Sequence, residues 1–285
     1  MNIKRKIFIS LFLILILLTN LSFASYSTVT MNVVEEPVCT IELGENSKFE
    51  KKLISKDLNN KEVTIQLQVK NDEVVNKPTG EIMLVLDNSD SMNNTVDGTK
   101  TRKELIFDSA KTLVSNLLKD NEELKIGIVS FSTNTDISKE GSSEDANLVS
   151  SLSNDISKLN NAISNIKADG PRTNLESGLD LASGQFTKTD NNKYMIVLTD
   201  GVPNVALNYD KNYYSDDVIS KTKSKLQQLK QSNINVITML TGIDDEKYIP
   251  ATTTKSFGEI IEEIFGTTSN PTVGKFYYVT DNEVE

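Results

Sequence analysis

Two aspartates in this sequence stand where an uninterrupted apolar run ends. Ile82-Met83-Leu84-Val85-Leu86 leads into Asp87-Asn88-Ser89-Asp90-Ser91, and Tyr194-Met195-Ile196-Val197-Leu198 leads into Thr199-Asp200-Gly201. Between them, Gly170-Pro171-Arg172-Thr173-Asn174 reads as a turn that opens a helix. Carboxylate and hydroxyl oxygens are ligands for hard cations. Magnesium wants six of them in near-octahedral array and gives up its waters reluctantly. On a loop after a strand, the spacing Asp-x-Ser-x-Ser turns Ser89 and Ser91 toward one point with Asp87 behind them. A threonine hydroxyl and a second aspartate from neighbouring loops, Thr173 and Asp200, complete such a shell. If hydroxyls bond the ion directly and the aspartates act largely through water, the ion keeps much of its charge. It then seeks an anionic oxygen for an open position, such as a carboxylate on another protein.

The same residues have local uses that metal binding does not exclude. Thr173 with Glu176, like Thr101 with Glu104, fits a helix capping box. Asp87 and Ser89 fit an Asx turn, and Asp200-Gly201 a tight loop.

Composition removes several other chemistries. There are no histidines, so a Ser-His-Asp triad, a histidine zinc site and a histidine general base are excluded. The single cysteine, Cys39, allows neither an intrachain disulfide nor a cysteine zinc cluster. A net charge of -10 repels phosphate backbones and argues against nucleic acid as a partner.

Around these residues the chain changes rhythm once. Over 25–79 the pattern is β-like. Val63, Ile65, Leu67 and Val69 alternate with polar residues, strand candidates lie at 28–34, 39–43 and 49–54, and 57–60 reads as a hairpin turn. From residue 80 onward, apolar runs of the kind buried on both faces alternate with amphipathic stretches. The predicted strands are 82–86, 124–131, 194–198, 234–240 and 275–279, with a short edge strand near 135–138. The predicted helices are 102–119, 175–186, 218–231 and 259–265. One further long helix is expected to carry Leu148, Leu152, Ile156, Leu159, Ile163 and Ile166 on one face. This order predicts an α/β fold with a doubly wound, mostly parallel, Rossmann-like sheet and helices on both faces, preceded by a small β-rich segment. In such a sheet ligands bind beyond the carboxyl ends of the strands, which is where both aspartates lie.

Asp-x-Ser-x-Ser, then a threonine before a helix, then Thr-Asp-Gly after an apolar strand, in this order, resembles the metal-ion-dependent adhesion site (MIDAS) of von Willebrand factor A (VWA) domains. The resemblance covers about residues 80–285. It matches Asp87, Ser89, Ser91, Thr173 and Asp200 to that family's five metal-site positions. It implies Mg2+ (with Mn2+ or Ca2+ as substitutes), no enzymatic activity, and recognition of an acidic side chain on a protein partner such as a host matrix or surface protein. Two positions depart from the family's pattern. Asp90 stands where a glycine is usual, which puts an extra carboxylate beside the site. Arg172 replaces a small residue, which makes it a candidate to meet an incoming carboxylate. Tyr209, Tyr213 and Tyr214, in the loop after Asp200, are either contact residues at the rim or ordinary surface tyrosines.

The first residues read as an export signal. Lys4, Arg5 and Lys6 precede an apolar run over 7–18, and Ser22-Phe23-Ala24 suits cleavage after Ala24. An uncleaved anchor is the competing reading, although the run is short for a full span. No later stretch would span a membrane. The expected organisation is a signal peptide over 1–24, a β-rich segment over 25–79 and a VWA-type domain over 80–285. Among related bacterial surface proteins, β segments flank this domain and continue past it. The segment 25–79 is then half of a split β domain, and the closing residues begin a last helix that the chain does not complete. The resulting expectation is a secreted or cell-surface adhesion module. The alternatives are a structural pilus or surface subunit with a vestigial metal site, and a magnesium-dependent phosphotransferase. The phosphotransferase needs Asp-x-Asp where this chain has Asp87-Asn88-Ser89.

Overall fold

The structure is a computed structural model that describes residues 29–31, 39–44, 47–57, 62–71, 79–96, 100–119, 121–187, 191–243 and 245–279. The expected export signal (1–24) and the expected start of a last helix (281–285) lie outside them. The chain divides into two units, one over Ile16–Lys77 and a larger one that takes in Pro78–Glu285.

The first unit holds β1 (Val29–Met31), β2 (Cys39–Gly44), β3 (Ser47–Asp57) and β4 (Glu62–Asn71), an antiparallel sheet in the order β1-β4-β3-β2. β3 and β4 form a hairpin that closes at the pair Asp57 and Glu62, where the sequence places a turn. In register, Val69 of β4 stands opposite Phe49, Ile65 opposite Leu53 and Leu67 opposite Val29, while Leu67 and Val63 also stand opposite Lys51 and Lys56 of β3.

The second unit continues with β5 (Gly80–Asp87), β6 (Thr95–Val96), β7 (Lys100–Thr101), α1 (Arg102–Leu118), β8 (Leu124–Phe131), β9 (Ala146–Ser153) and α2 (Ile156–Ser164). It ends with α3 (Leu175–Ser183), β10 (Asn192–Thr199), α4 (Asp216–Gln231), β11 (Ile234–Thr241), α5 (Phe257–Phe265) and β12 (Lys275–Val279). Six strands form one sheet in the order β12-β11-β10-β5-β8-β9, all parallel except β9. β6 and β7 pair as a small separate ribbon.

Every residue of β5 is buried, so both faces of the sheet are covered there. Met83 and Val85 share a core with Leu175, Leu179, Leu226 and Ile260, on the side of α3, α4 and α5. Side chains alternate across a strand, so the equally buried Ile82, Leu84 and Leu86 face the opposite layer, where α1 packs on α2. Helix starts follow local chemistry. Thr101 with Glu104 and Ser256 with Glu259 form complete capping boxes on α1 and α5.

One region differs from the sequence expectation. The stretch expected as a single long helix is the edge strand β9 followed by the shorter α2, and residues 137–139 form one 3-10 turn rather than a strand. Leu148, Leu152 and Ile156 are four apart, but the serine-rich stretch between them has weak helix propensity. Backbone pairing with the open edge of β8 satisfies its peptide groups instead. Asp155 then accepts from the Lys158 N–H and starts α2 there. Leu148, expected on the buried face of that helix, is 42% exposed.

From β5 the chain moves outward to β8 and β9, then returns on the other side of β5 as β10. The direction of winding therefore reverses between β5 and β10. Their carboxyl ends are Asp87 and Thr199, the latter directly before Asp200.

Candidate metal centre

Asp87 closes β5 and is fully buried. One of its carboxylate oxygens accepts from the Ser89 N–H at 2.8 Å, the Asx turn expected from the sequence. The other accepts from the Thr199 hydroxyl at the end of β10, so Asp87 straps the two strand ends together. The turn brings the Ser89 and Ser91 hydroxyls within 3.1 Å of each other, and Ser91 Oγ donates to Asp200 Oδ1 at 2.9 Å.

Thr173 arrives by a different route. Ser89 and Gly170 form a parallel bridge, in which the Asp90 N–H donates to the Gly170 carbonyl at 2.8 Å and the Gly170 N–H to the Asn88 carbonyl at 3.3 Å. Only glycine fits at 170, because a Cβ there would stand 1.9 Å from Ser132 Oγ. Beyond that bridge the chain meets Asn204, whose side-chain oxygen accepts from the Thr173 N–H at 2.9 Å. The Thr173 hydroxyl then lies against the Asp200-Gly201 turn, where a Cβ on Gly201 would approach it to 2.8 Å. All five residues singled out from the sequence thus gather at one place. Ser89, Ser91, Thr173 and Asp200 line a cleft of about 480 Å3, with Asp87 behind them.

Burial has electrostatic consequences. It raises the Asp87 carboxyl above its ordinary value, against the pull of hydrogen bonds from Ser89 and Thr199. Asp200 is pushed up to about 7, first by burial and then by the charge of Asp87. One cation answers the pair: Arg102, the first residue of α1, reaches Asp200 Oδ2 with Nη1 at 3.3 Å. Gly242, at φ +79, leaves room for that guanidinium, since a Cβ there would lie 2.3 Å from Arg102 Nε.

The sequence reading needs correction at two residues. The cap of α3 is Asn174, whose side chain accepts from the Ser177 N–H, while Thr173 stands one residue earlier and Glu176 accepts from the Leu207 N–H. This frees the Thr173 hydroxyl to face the cleft. Tyr209 is buried, and its hydroxyl donates to Glu140, so it is a packing residue. Tyr213 donates to the same carboxylate at 3.2 Å, and Tyr214 lines the cleft.

Arg172 also lines the cleft. Its Nη1 meets Glu140 Oε2 at 2.6 Å, and its guanidinium lies 4.2 Å from the Tyr213 ring centre. Sequence reasoning missed Glu140, Arg102, Thr199 and Asn204. Nothing local marks Arg102 or Glu140, because their roles depend on approaches across about a hundred and about thirty residues. The signal for Thr199 was its place directly before Asp200.

The donor set suits a hard divalent ion. Two buried carboxylates face three hydroxyls, all hard oxygen donors, with the Arg102 guanidinium against Asp200. Among the described residues no three carboxylates or thiols are grouped to hold a metal. An ion here depends on the hydroxyls.

Residues 82–202 match the von Willebrand factor type A domain family. In fold the chain is similar to the pilus adhesin SpaC from Lactobacillus rhamnosus GG, with a TM-score of 0.61 at 18% identity, covering 86% of this chain and 34% of that one. It matches the open conformation of SpaC with a TM-score of 0.57 at 18% identity, covering 87% and 34%. It is also similar to the vWF domain of the type V pili tip protein Mfa5 from Porphyromonas gingivalis, with a TM-score of 0.50 at 13% identity, covering 73% and 91%. The chain therefore spans about a third of the length of SpaC. No curated protein sequence matches it. The matched residues run from β5 to the turn after β10, the part of the sheet that carries Asp87 and Asp200, so the likeness to von Willebrand factor type A domains falls on the strands that build the cleft.

Proposed function

We propose that the protein is a secreted or cell-surface binding module whose VWA domain holds a divalent cation, magnesium in the first instance, and through it grips a carboxylate on a protein partner. The observation that carries this reading is the convergence of Ser89, Ser91, Thr173 and Asp200 on one open cleft, backed by the buried Asp87. Two carboxylates are desolvated there, and among the described residues the guanidinium that meets them is that of Arg102. A doubly charged ion would relieve that imbalance.

Ser89, Ser91 and Thr173 would hold the ion with their hydroxyls, and Asp87 and Asp200 would balance its charge. Bound there, magnesium supplies a strongly electrophilic centre able to take an anionic oxygen from outside. Asp87 orients the Ser89–Ser91 turn through the Ser89 N–H. Arg102 fixes Asp200 from below. Thr173 is positioned by its backbone bonds to the 201–205 loop rather than by its side chain. Exposed Asp90 adds negative charge at the mouth, which favours cation capture and disfavours an acidic ligand until the cation is in place.

The export signal expected over 1–24 puts this domain outside the cell. Among the described residues no helix is long and apolar enough to cross a membrane. A pilus or other surface assembly is the setting we infer. A structural subunit with a vestigial site is the alternative, and it differs in one respect: it would not bind magnesium.

Thermal unfolding of the protein with magnesium and with a chelator separates the two. Magnesium at a hundredfold excess over its dissociation constant should stabilise by about 2.7 kcal/mol, seen as a higher melting temperature. Ser91→Ala should shrink that increment. Identical melting curves with and without the ion would refute the metal reading.

A further inference from the structure

The cleft holds more than a carboxylate can fill. At about 480 Å3 it falls in the range of sites that enclose a whole small ligand, and its lining continues from the oxygen donors to Tyr214, Tyr248 and Phe257. These three rings form a contiguous row, with centroids 5.5 Å apart for Tyr214–Phe257 and 5.0 Å for Tyr248–Phe257. Tyr248 and its neighbour Ile249 are 52% and 55% exposed, two of the four large hydrophobics exposed among the described residues.

The row is fixed relative to the oxygen cluster. Asn204 accepts from the Thr173 N–H and donates to the Tyr214 hydroxyl at 3.2 Å, so a single side chain sets the spacing between the two. At the outer end the Phe257 N–H donates to the Tyr248 carbonyl at 2.9 Å. The Thr252 hydroxyl donates to the Tyr213 carbonyl and ties the 245–256 loop to the 201–215 loop. Aromatic rings held this way are ready-made anchors, because little freedom is lost when a partner packs on them. Arg172, on the same lining, is held by its ion pair with Glu140 and its stacking on Tyr213.

We infer that this aromatic row is a second subsite, and that the partner is a protein segment with an acidic residue directly beside an aromatic or large aliphatic one. The inference rests on the metal reading above, which supplies the grip on the acidic residue. The acid provides metal dependence and the apolar neighbour provides selectivity.

Three capped peptides test it with the full chain and magnesium, followed by NMR titration. One carries Glu-Phe, one Glu-Ala and one Gln-Phe. Glu-Phe should bind roughly tenfold tighter than Glu-Ala, the ratio for about 1.4 kcal/mol, and Gln-Phe should bind weakly. Tyr248→Ala should bring Glu-Phe down to Glu-Ala, and Tyr248→Phe should keep the preference. Equal affinities for Glu-Phe and Glu-Ala, or a preference that survives Tyr248→Ala, would overturn the subsite. So would magnesium binding with no response to any peptide, and that outcome leaves the metal reading intact. Absence of magnesium binding, read by calorimetry on the same sample, would bring down the metal reading itself.

Discussion

Asp200 is the residue where folding and binding oppose each other most directly. Its carboxyl stands at about 7 in the fold against an ordinary value of 3.8. The folded chain therefore keeps a proton that the unfolded chain has released across that interval. Stability from this group is complete below about 3.8 and is lost as the pH rises toward 7. A cation bound as proposed would replace the proton. Magnesium should consequently raise the melting temperature little at mildly acidic pH and increasingly as the pH passes neutrality. An increment independent of pH would mean that Asp200 does not face the ion. Glu140 is a different case. Buried, it accepts from Arg172, Tyr209 and Tyr213, and Glu140→Ala leaves these donors without their acceptor. Breaking such a pair should cost about 3 kcal/mol, measurable by urea denaturation. The five oxygen-bearing residues were legible in the sequence because each sits at a strand end or a helix start. Arg102 and Glu140 were not, because only the folded sheet brings them to their partners.

At the scale of elements, the strands buried on both faces were readable, as was the edge strand β12, whereas β9 was not. β5, β8, β10 and β11 have apolar runs that only a sheet covered on both faces accommodates, and each strand was placed within two residues. β9 is an edge strand buried only at Ala146 and Ser150, four residues apart, and its leucines mimic a helical stripe. What settled the competition was the free edge of β8, a partner no local window contains. The capping box on α1 was readable from Thr101 and Glu104 alone. Thr101→Ala should destabilise the protein by about 1 kcal/mol. The bridge at Gly170 matters more to the site. Gly170→Ala forces a Cβ against Ser132 and should cost about 3 kcal/mol. It should also weaken magnesium binding, because the bridge brings Thr173 to the cleft. A variant that binds magnesium normally would show that the loop tolerates the shift.

On the scale of the whole molecule, the fold converts sequence order into one point. Two strands that are neighbours in the sheet, β5 and β10, are separated in the chain by β6, β7, β8, β9 and three α-helices. Because the winding reverses between them, their carboxyl ends open a crevice rather than a packed edge. The loop before α3 enters this crevice and supplies the remaining hydroxyl. The central claim is that the oxygens gathered there bind a divalent cation. Its most direct test is calorimetric titration of magnesium into metal-free protein, alongside the Asp200→Ala variant. The account predicts saturable binding at a single site that the variant loses. No saturable binding in the unmodified chain, or binding undiminished by Asp200→Ala, would contradict it.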